Sequence, residues 1–149
     1  MTVQVVVAED GYRIGGEWEG IGPADAFLGH LAARAFSPAT IRAYAFDVVN
    51  LARFLTGEGI GLAGVTPVDV FAWVDWQGAR RDSAAGGKVV ALRRRTAAAS
   101  TVNRRVAAVR AFFEYLVMTG ARTDNPVPSP RRGQGIRPAA RGLLGHLGP

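Results

Sequence analysis

Apolar residues recur at the three-and-four spacing of amphipathic helices in four stretches of this chain. The clearest stretch runs from Ser100 to Gly120: Ser100 or Thr101 can cap its N-terminus, and Gly120 can close its C-terminus. The polar flank of this predicted helix would face water or a partner. Its apolar positions, which would share one buried face, are Val102, Val106, Val109, Phe113, Leu116 and Val117.

Three shorter helices are predicted upstream, at about residues 23–35, 38–56 and 67–80. Each has a proline at its start, where proline is favoured because its missing N–H would be unpaired anyway. Ser37-Pro38 marks the start of the second helix, and Thr66 can cap the third. The predicted core positions are Phe27, Leu28 and Leu31, then Ile41, Tyr44, Val48, Leu51 and Leu55, then Val70, Phe71 and Val74, with Trp73 and Trp76 in core or helix-packing roles.

The segments around these helices differ in composition. Residues 1–22 form an N-terminal arm, in which apolar residues alternate on both sides of Asp10-Gly11 and allow a small β-hairpin. Residues 80–99 contain a Gly-Gly pair and two arginine clusters, and are predicted to be a long, mobile basic loop. Residues 127–149 are rich in proline, glycine and arginine, and are predicted to be a flexible basic tail or linker. Residues 23–126 would then form one helical domain.

Positive charge is concentrated in the second half of the chain. Residues 1–79 hold four basic and nine acidic residues, a net charge of −5, whereas residues 80–149 hold fourteen basic and three acidic residues, a net charge of +11. Such segregation is typical of proteins with a polyanion partner, because clustered cations displace counterions from phosphates. The basic loop could lie along a phosphate backbone, and a plain solvated loop is an equal alternative. Its candidate phosphate contacts are Lys88, Arg93, Arg94 and Arg95.

Residue content argues against several classes of chemistry. The chain has no cysteine, which excludes disulfides and thiolate zinc sites. The two histidines, His30 and His146, are not accompanied by acids that would complete a metal site, so no metal is expected. Gly86-Gly87-Lys88 lacks the glycine spacing of a phosphate-binding loop, and no Ser-His-Asp set is indicated. We therefore expect no cofactor and no small-molecule substrate.

The start of the chain does not resemble a secretion signal, because its short apolar patch is followed at once by acidic residues. No apolar run approaches the roughly 20 residues that span a bilayer. We therefore expect a cytoplasmic protein without a membrane partner, associated with the nucleoid if its polyanion partner is DNA.

Four motifs, in this order and at these spacings, resemble the N-terminal core-binding domain of tyrosine recombinases, the phage-integrase family. The first is S-P-A-T-I-R-A-Y-x-x-D at residues 37–47, and the second is T-P-x-D-V at residues 66–70. The third is S-T-V-N-R-R-V-A-A-V-R-A-F-F-E-Y-L at residues 100–116, followed by G-x-x-x-x-N-P at residues 120–126. The resemblance covers about residues 23–126, and its specificity lies in the ordered set of motifs.

The resemblance implies an all-α, SAM-like orthogonal bundle of four helices that forms one half of a C-shaped clamp around duplex DNA. In that family the second and fourth helices face the major groove, so double-stranded DNA and other recombinase protomers on it are the implied partners. Mostly phosphate contacts are expected, and such contacts position a protein without specifying sequence. The implied contact residues are Thr40 and Arg42 in the second helix, and Ser100, Thr101, Asn103, Arg104 and Arg105 in the fourth.

The sequence departs from the family where catalysis would begin. The family's catalytic block combines arginines, a lysine, a histidine-rich motif and a nucleophilic tyrosine, and it does not follow Pro126. Tyr44 and Tyr115 lie in predicted helices without the family's surrounding motif. We therefore expect a DNA-binding domain with no catalytic residues of its own. Two alternatives stay open: a helical protein-interaction module that mediates recombinase subunit assembly, and an enzyme whose other half is not in this chain.

Overall fold

A computed structural model describes residues 1–85 and 88–129, with side chains at 1–78 and 99–129. The chain begins with an antiparallel hairpin of β1 (Gln4–Ala8) and β2 (Gly11–Gly15). Four helices follow, α1 (Ile21–Ala33), α2 (Pro38–Glu58), α3 (Pro67–Ala85) and α4 (Lys88–Met118), with a short 3₁₀ turn at Leu62–Gly64. The predicted all-α, SAM-like bundle with a small N-terminal hairpin is therefore confirmed.

The helix starts that the sequence marks are formed by local hydrogen bonds. The Ser37 hydroxyl accepts from the Thr40 backbone N–H at 3.2 Å and caps α2. At α3, Thr66 and Asp69 form a reciprocal cap: the Asp69 carboxylate accepts from the Thr66 N–H at 2.9 Å, and the Thr66 hydroxyl accepts from the Asp69 N–H at 3.3 Å. Helix α2 ends at Gly59, whose φ of +70° is the left-handed conformation that glycine adopts without a steric cost.

One apolar core joins all four helices to the hairpin. The largest fully buried side chains include Phe27 of α1, Leu51 of α2, Trp73 of α3 and Phe113 of α4, as the helical spacing predicts. Phe71 is an exception: it was predicted to be buried and is 60% exposed. The inward positions of α3 are 70, 73 and 77, and a residue one place after position 70 is rotated by about 100° toward solvent.

The segment predicted as a mobile basic loop is helical in its described part. Helix α3 continues to Ala85, and α4 begins at Lys88, twelve residues before the predicted cap at Ser100. Apart from the central Gly-Gly pair, these stretches consist mainly of alanine, arginine and other residues that tolerate helices well. Ser100 and Thr101 therefore lie inside α4 and do not cap it. The side chains of residues 79–98, and residues 130–149 of the predicted tail, are outside the described part.

The N-terminal hairpin packs directly on the bundle. Val3 and Ile14 are buried in the core, and the Ile14 N–H donates to the Asp25 carboxylate of α1 at 2.8 Å. From α2, Arg53 Nε donates to the Val3 carbonyl at 3.0 Å.

Two element boundaries differ slightly from the prediction. The hairpin turn lies at residues 9–10, one position earlier than predicted, because Ala8 pairs with Gly11. Helix α1 likewise begins two residues before the predicted proline.

A single arginine holds the end of α4 against the connection between α2 and α3. The side chain of Arg122 is only 7% exposed and donates to the carbonyls of Leu62 at 2.9 Å and Val65 at 3.0 Å. It also pairs with the Asp124 carboxylate at 3.0 Å, and its guanidinium lies 5.2 Å from the ring centre of Phe113. One guanidinium therefore joins the segment after α4 to two backbone carbonyls of the connection between α2 and α3.

The segment after α4 is also fixed. The Asn125 amide donates to the Arg110 carbonyl and to the Glu114 carboxylate, both at 3.0 Å, and its oxygen accepts from the Val127 N–H. Val127, which the sequence places in the tail, is buried in the core. No helix within residues 1–85 and 88–129 is long and apolar enough to cross a membrane.

Candidate nucleic-acid interface

A buried carboxylate joins the two helices that carry the predicted contact residues. Asp47 of α2 is 1% exposed. Its Oδ2 accepts a hydrogen bond from Arg104 Nη1 of α4 at 2.6 Å, and its Oδ1 lies 3.7 Å from Arg105 Nε. A short bond to a charged donor is the strong kind. Asp47 therefore pairs α2 with both neighbouring arginines of α4.

The two arginines differ in their surroundings. The Arg104 side chain is 52% exposed, whereas that of Arg105 is 26% exposed. Arg105 Nη1 donates to the Gln77 amide oxygen of α3 at 2.9 Å, and Gln77 is itself buried. On the same side of the bundle, Trp73 Nε1 donates to Asn50 of α2 at 2.9 Å. Arg105 therefore belongs to a polar network between helices, and Arg104 lies at its solvent edge.

Burial dominates the electrostatics of Asp47. Desolvation raises the pKa of this carboxyl above its ordinary value, and the charges of Arg104 and Arg105 lower it by less. The neighbouring guanidiniums thus only partly compensate the cost of placing a carboxylate inside the bundle. The buried carboxylate thus pairs with an arginine whose side chain is half-exposed.

The outer face of α2 carries an exposed arginine and an exposed aromatic ring. The Arg42 guanidinium lies 4.8 Å from the ring centre of Phe46, one helical turn further along. Phe46 is 46% exposed, and it directly precedes Asp47. Sequence reasoning did not single out Phe46, although its position four residues after Arg42, off the apolar stripe, was a signal. Thr40 is partly engaged locally, because its hydroxyl accepts from the Ser37 hydroxyl at 2.9 Å.

The other predicted contacts on α4 fall into two groups. Ser100 and Asn103 are exposed, and Thr101 is half-buried, all on the same stretch of helix as Arg104. The side chains of Lys88, Arg93, Arg94 and Arg95 are outside the described part of the chain, although the backbone there is helical. The described structure therefore pairs Arg42 with Phe46 on the outer face of α2, and separately joins Arg104 of α4 to α2 through Asp47.

A third basic residue of α4 faces a different direction. Arg110 Nη2 donates to the Pro128 carbonyl at 3.0 Å, and burial lowers the pKa of its guanidinium. Arg110 thus holds the segment that follows α4. Among the described residues there is no group of three histidines or acids that could hold a metal ion. The chemistry that this surface offers is hydrogen bonding and charge attraction toward an anion.

Comparisons with protein families and with individual proteins both find sequences similar to this chain. A family model described as phage integrase, N-terminal SAM-like domain, matches residues 24–120. A tyrosine recombinase XerC of Roseiflexus castenholzii (strain DSM 13941 / HLO8) is 37% identical over 103 residues, which are 68% of this chain and 28% of the relative. The chain thus aligns with just over a quarter of the relative's length. No solved structure matches it.

Proposed function

The chain belongs to the family of phage integrase N-terminal SAM-like domains, and on that premise we propose that it binds duplex DNA through α2 and α4. Its sequence and fold are those of a tyrosine recombinase N-terminal domain. The observation that carries the proposal is Arg104, a half-exposed cation on α4 that is anchored to α2 through a buried carboxylate. A cation held in this way is suited to a phosphate at a fixed position.

The proposed DNA-binding surface on α2 and α4 offers two kinds of contact. Arg42 and the exposed polar residues Ser100 and Asn103 can donate to phosphate oxygens, which position a protein on the duplex. Phe46 offers an apolar contact of the kind that thymine methyl groups accept in the major groove. Arg105 is a weaker candidate than Arg104, because Gln77 and Asp47 engage its guanidinium inside the bundle.

We propose that this domain binds DNA and that strand cleavage by a longer relative uses residues outside it. Two of its tyrosines support this division. The ring of Tyr44 lies 6.0 Å from that of Phe27, and the ring of Tyr115 lies 5.6 Å from it, so both pack at the core. A nucleophilic tyrosine must instead reach the DNA backbone with its hydroxyl. In a complete recombinase, this domain would close one side of a clamp around the duplex.

The test is a titration of a fluorescent duplex of arbitrary sequence at several salt concentrations. Neutralising phosphates predicts that the logarithm of the binding constant falls linearly with the logarithm of the salt concentration, by about 0.9 for each phosphate contacted. We expect a slope that corresponds to several contacts. An absence of duplex affinity at low salt would reject DNA binding, and would favour the alternative of a module that contacts recombinase protomers only.

A further inference from the structure

We propose that Asp47 is a positioning residue, which holds the Arg104 guanidinium in the orientation that contacts a DNA phosphate. The inference rests on the proposed DNA-binding function and assigns to a buried acidic residue a part in recognising a polyanion. Asp47 would not touch DNA itself, since it is 1% exposed. It would act only through the arginine that it holds.

The Arg104 guanidinium is hydrogen-bonded to a buried carboxylate, while its side chain is half-exposed. The carboxylate of Asp47 is immobilised by burial, and Arg104 Nη1 lies 2.6 Å from its Oδ2. A guanidinium has five N–H donors in a rigid fork, so binding through one nitrogen leaves donors on the other nitrogens. The Arg104 side chain is 52% exposed, so we expect a phosphate to reach donors that Asp47 does not engage.

An Arg104 side chain that is already held in place should bind a phosphate more tightly than a free one. A free arginine side chain loses rotamer freedom when it binds, at a cost of about 0.5–1.5 kcal/mol, and a side chain already fixed in the unbound protein avoids that cost. In terms of affinity, this cost corresponds to about a two- to tenfold difference. The second arginine near Asp47 does not compete for this role, because Arg105 Nη1 donates to Gln77.

A purely electrostatic role would have the opposite sign. Asp47 is a negative charge close to the proposed DNA surface, so its removal alone should increase the attraction of Arg104 for phosphate. A positioning role predicts that the same removal weakens binding. The substitution Asp47→Asn keeps nearly the same shape but replaces one carboxylate oxygen with an NH2 group, so it removes both the charge and the charge-assisted hold on Arg104. The sign of the change in affinity therefore distinguishes the two roles.

The experiment is a double-mutant cycle on duplex affinity at about 0.15 M salt, where long-range attraction is screened. The four proteins are the wild type, Asp47→Asn, Arg104→Gln and the double variant, each checked for unchanged helical content. We expect Asp47→Asn to weaken duplex binding about two- to tenfold when Arg104 is present. In the Arg104→Gln background, we expect the same substitution to have no effect.

Three outcomes overturn the proposal. Tighter binding by Asp47→Asn would show that its charge, and not its hold on Arg104, matters. An equal loss in both backgrounds would show a structural effect that does not pass through Arg104. Unchanged affinity in Asp47→Asn would show that Arg104 needs no charged anchor. A wild type that fails to bind duplex would instead reject the proposed function on which the inference rests.

A second variant tests the same idea if Asp47→Asn does not fold. Arg104→Lys keeps the positive charge but lacks the planar fork that can bind a carboxylate and a phosphate together. We expect Arg104→Lys to lose most of the affinity that Arg104→Gln loses, with wild-type helical content. Full retention of affinity by Arg104→Lys would show that charge suffices and would overturn the positioning role.

Discussion

Arg104 and Asp47 are 57 residues apart in sequence, and their side chains form a 2.6 Å hydrogen bond that joins α4 to α2. One partner is almost completely buried and the other is half-exposed. The pair therefore places a buried negative charge beside an arginine that is half-exposed to solvent. Stability and binding should both depend on it, in ways that can be measured separately.

The first prediction concerns the pH dependence of stability. Burial raises the pKa of Asp47, so the folded protein binds a proton at this carboxyl more readily than the unfolded chain does. The contribution of this group to the free energy of unfolding is then fully present below the unfolded pKa, and it is lost as the pH rises through the folded pKa. Asp47→Asn cannot titrate and serves as the reference.

We therefore expect the wild type to lose stability relative to Asp47→Asn as the pH is raised from about 3.5 through the folded pKa, and the difference to level off above it. Urea unfolding of both proteins at a series of pH values measures this. A difference that moves in favour of the wild type over the same range would show that the two arginines outweigh burial.

A second prediction concerns Arg42. Removal of this exposed cation by Arg42→Gln should weaken duplex binding and make the salt dependence less steep by about 0.9, the contribution of one phosphate contact. The matched control is Arg53→Gln, which removes the same charge from α2 about 16 Å further along the helix, beside β1. Equal effects of the two substitutions would mean that net charge, and not position, governs binding.

The exposed ring of Phe46 gives a third prediction. Phe46→Ala should lower duplex affinity about fivefold, since it removes apolar contact area, while leaving the salt slope unchanged, because no charge is lost. Phe71→Ala is the control, since Phe71 is also an exposed phenylalanine but lies on α3. Duplex titration of both variants decides the matter. A loss of affinity that is as large for Phe71→Ala would count against a DNA-facing role for Phe46.

Core packing gives a fourth prediction, on stability alone. Phe113 is fully buried, and its replacement by alanine should lower the free energy of unfolding by about 3–5 kcal/mol. Phe71→Ala should change it by no more than about 0.5 kcal/mol, because the ring is exposed. Denaturant unfolding of the two variants measures both values. Similar losses would contradict the placement of Phe113 in the core and of Phe71 at the surface.

Local features of this fold could be predicted because their causes are local. Ser37 caps α2 through a bond to a residue three positions later, and the Thr66 cap spans the same interval. Helical spacing likewise located the buried face of α2 and part of that of α4, where it missed the fully buried Phe112. Phe71 was misassigned because an apolar stripe on a helix has ill-defined edges, and a neighbouring aromatic residue can lie just outside it.

The functional surface was less predictable because its decisive contacts are distant in sequence. Periodicity placed Arg104 on a polar flank, but nothing in the sequence around Asp47 showed that it would be buried beneath that flank. The Gly-Gly pair and the charge of residues 80–99 indicated a loop, whereas the good helix formers around the pair allow both helices to extend.

Arg122 illustrates the same point and gives the last prediction. Its guanidinium donates to the carbonyls of Leu62 and Val65, 60 and 57 residues away, and to Asp124. Removing it leaves buried carbonyl acceptors without a donor, each at a cost of about 1–3 kcal/mol. We expect Arg122→Ala to lower the free energy of unfolding by at least about 2 kcal/mol. Arg122→Lys should recover less than half of this loss, because an ammonium cannot reach several acceptors in one plane.

The measurement is denaturant unfolding of both Arg122 variants beside Arg53→Gln, which loses an arginine with one backbone acceptor, the Val3 carbonyl. If the number of acceptors matters, Arg122→Ala destabilises the protein more than Arg53→Gln does. If Arg122→Lys is as stable as the wild type, the several hydrogen bonds of the guanidinium contribute little to stability, and a single charge is enough to hold the end of α4. DNA affinity at a temperature where the variants stay folded should not change, because Arg122 is buried away from solvent and lies outside the proposed contact set.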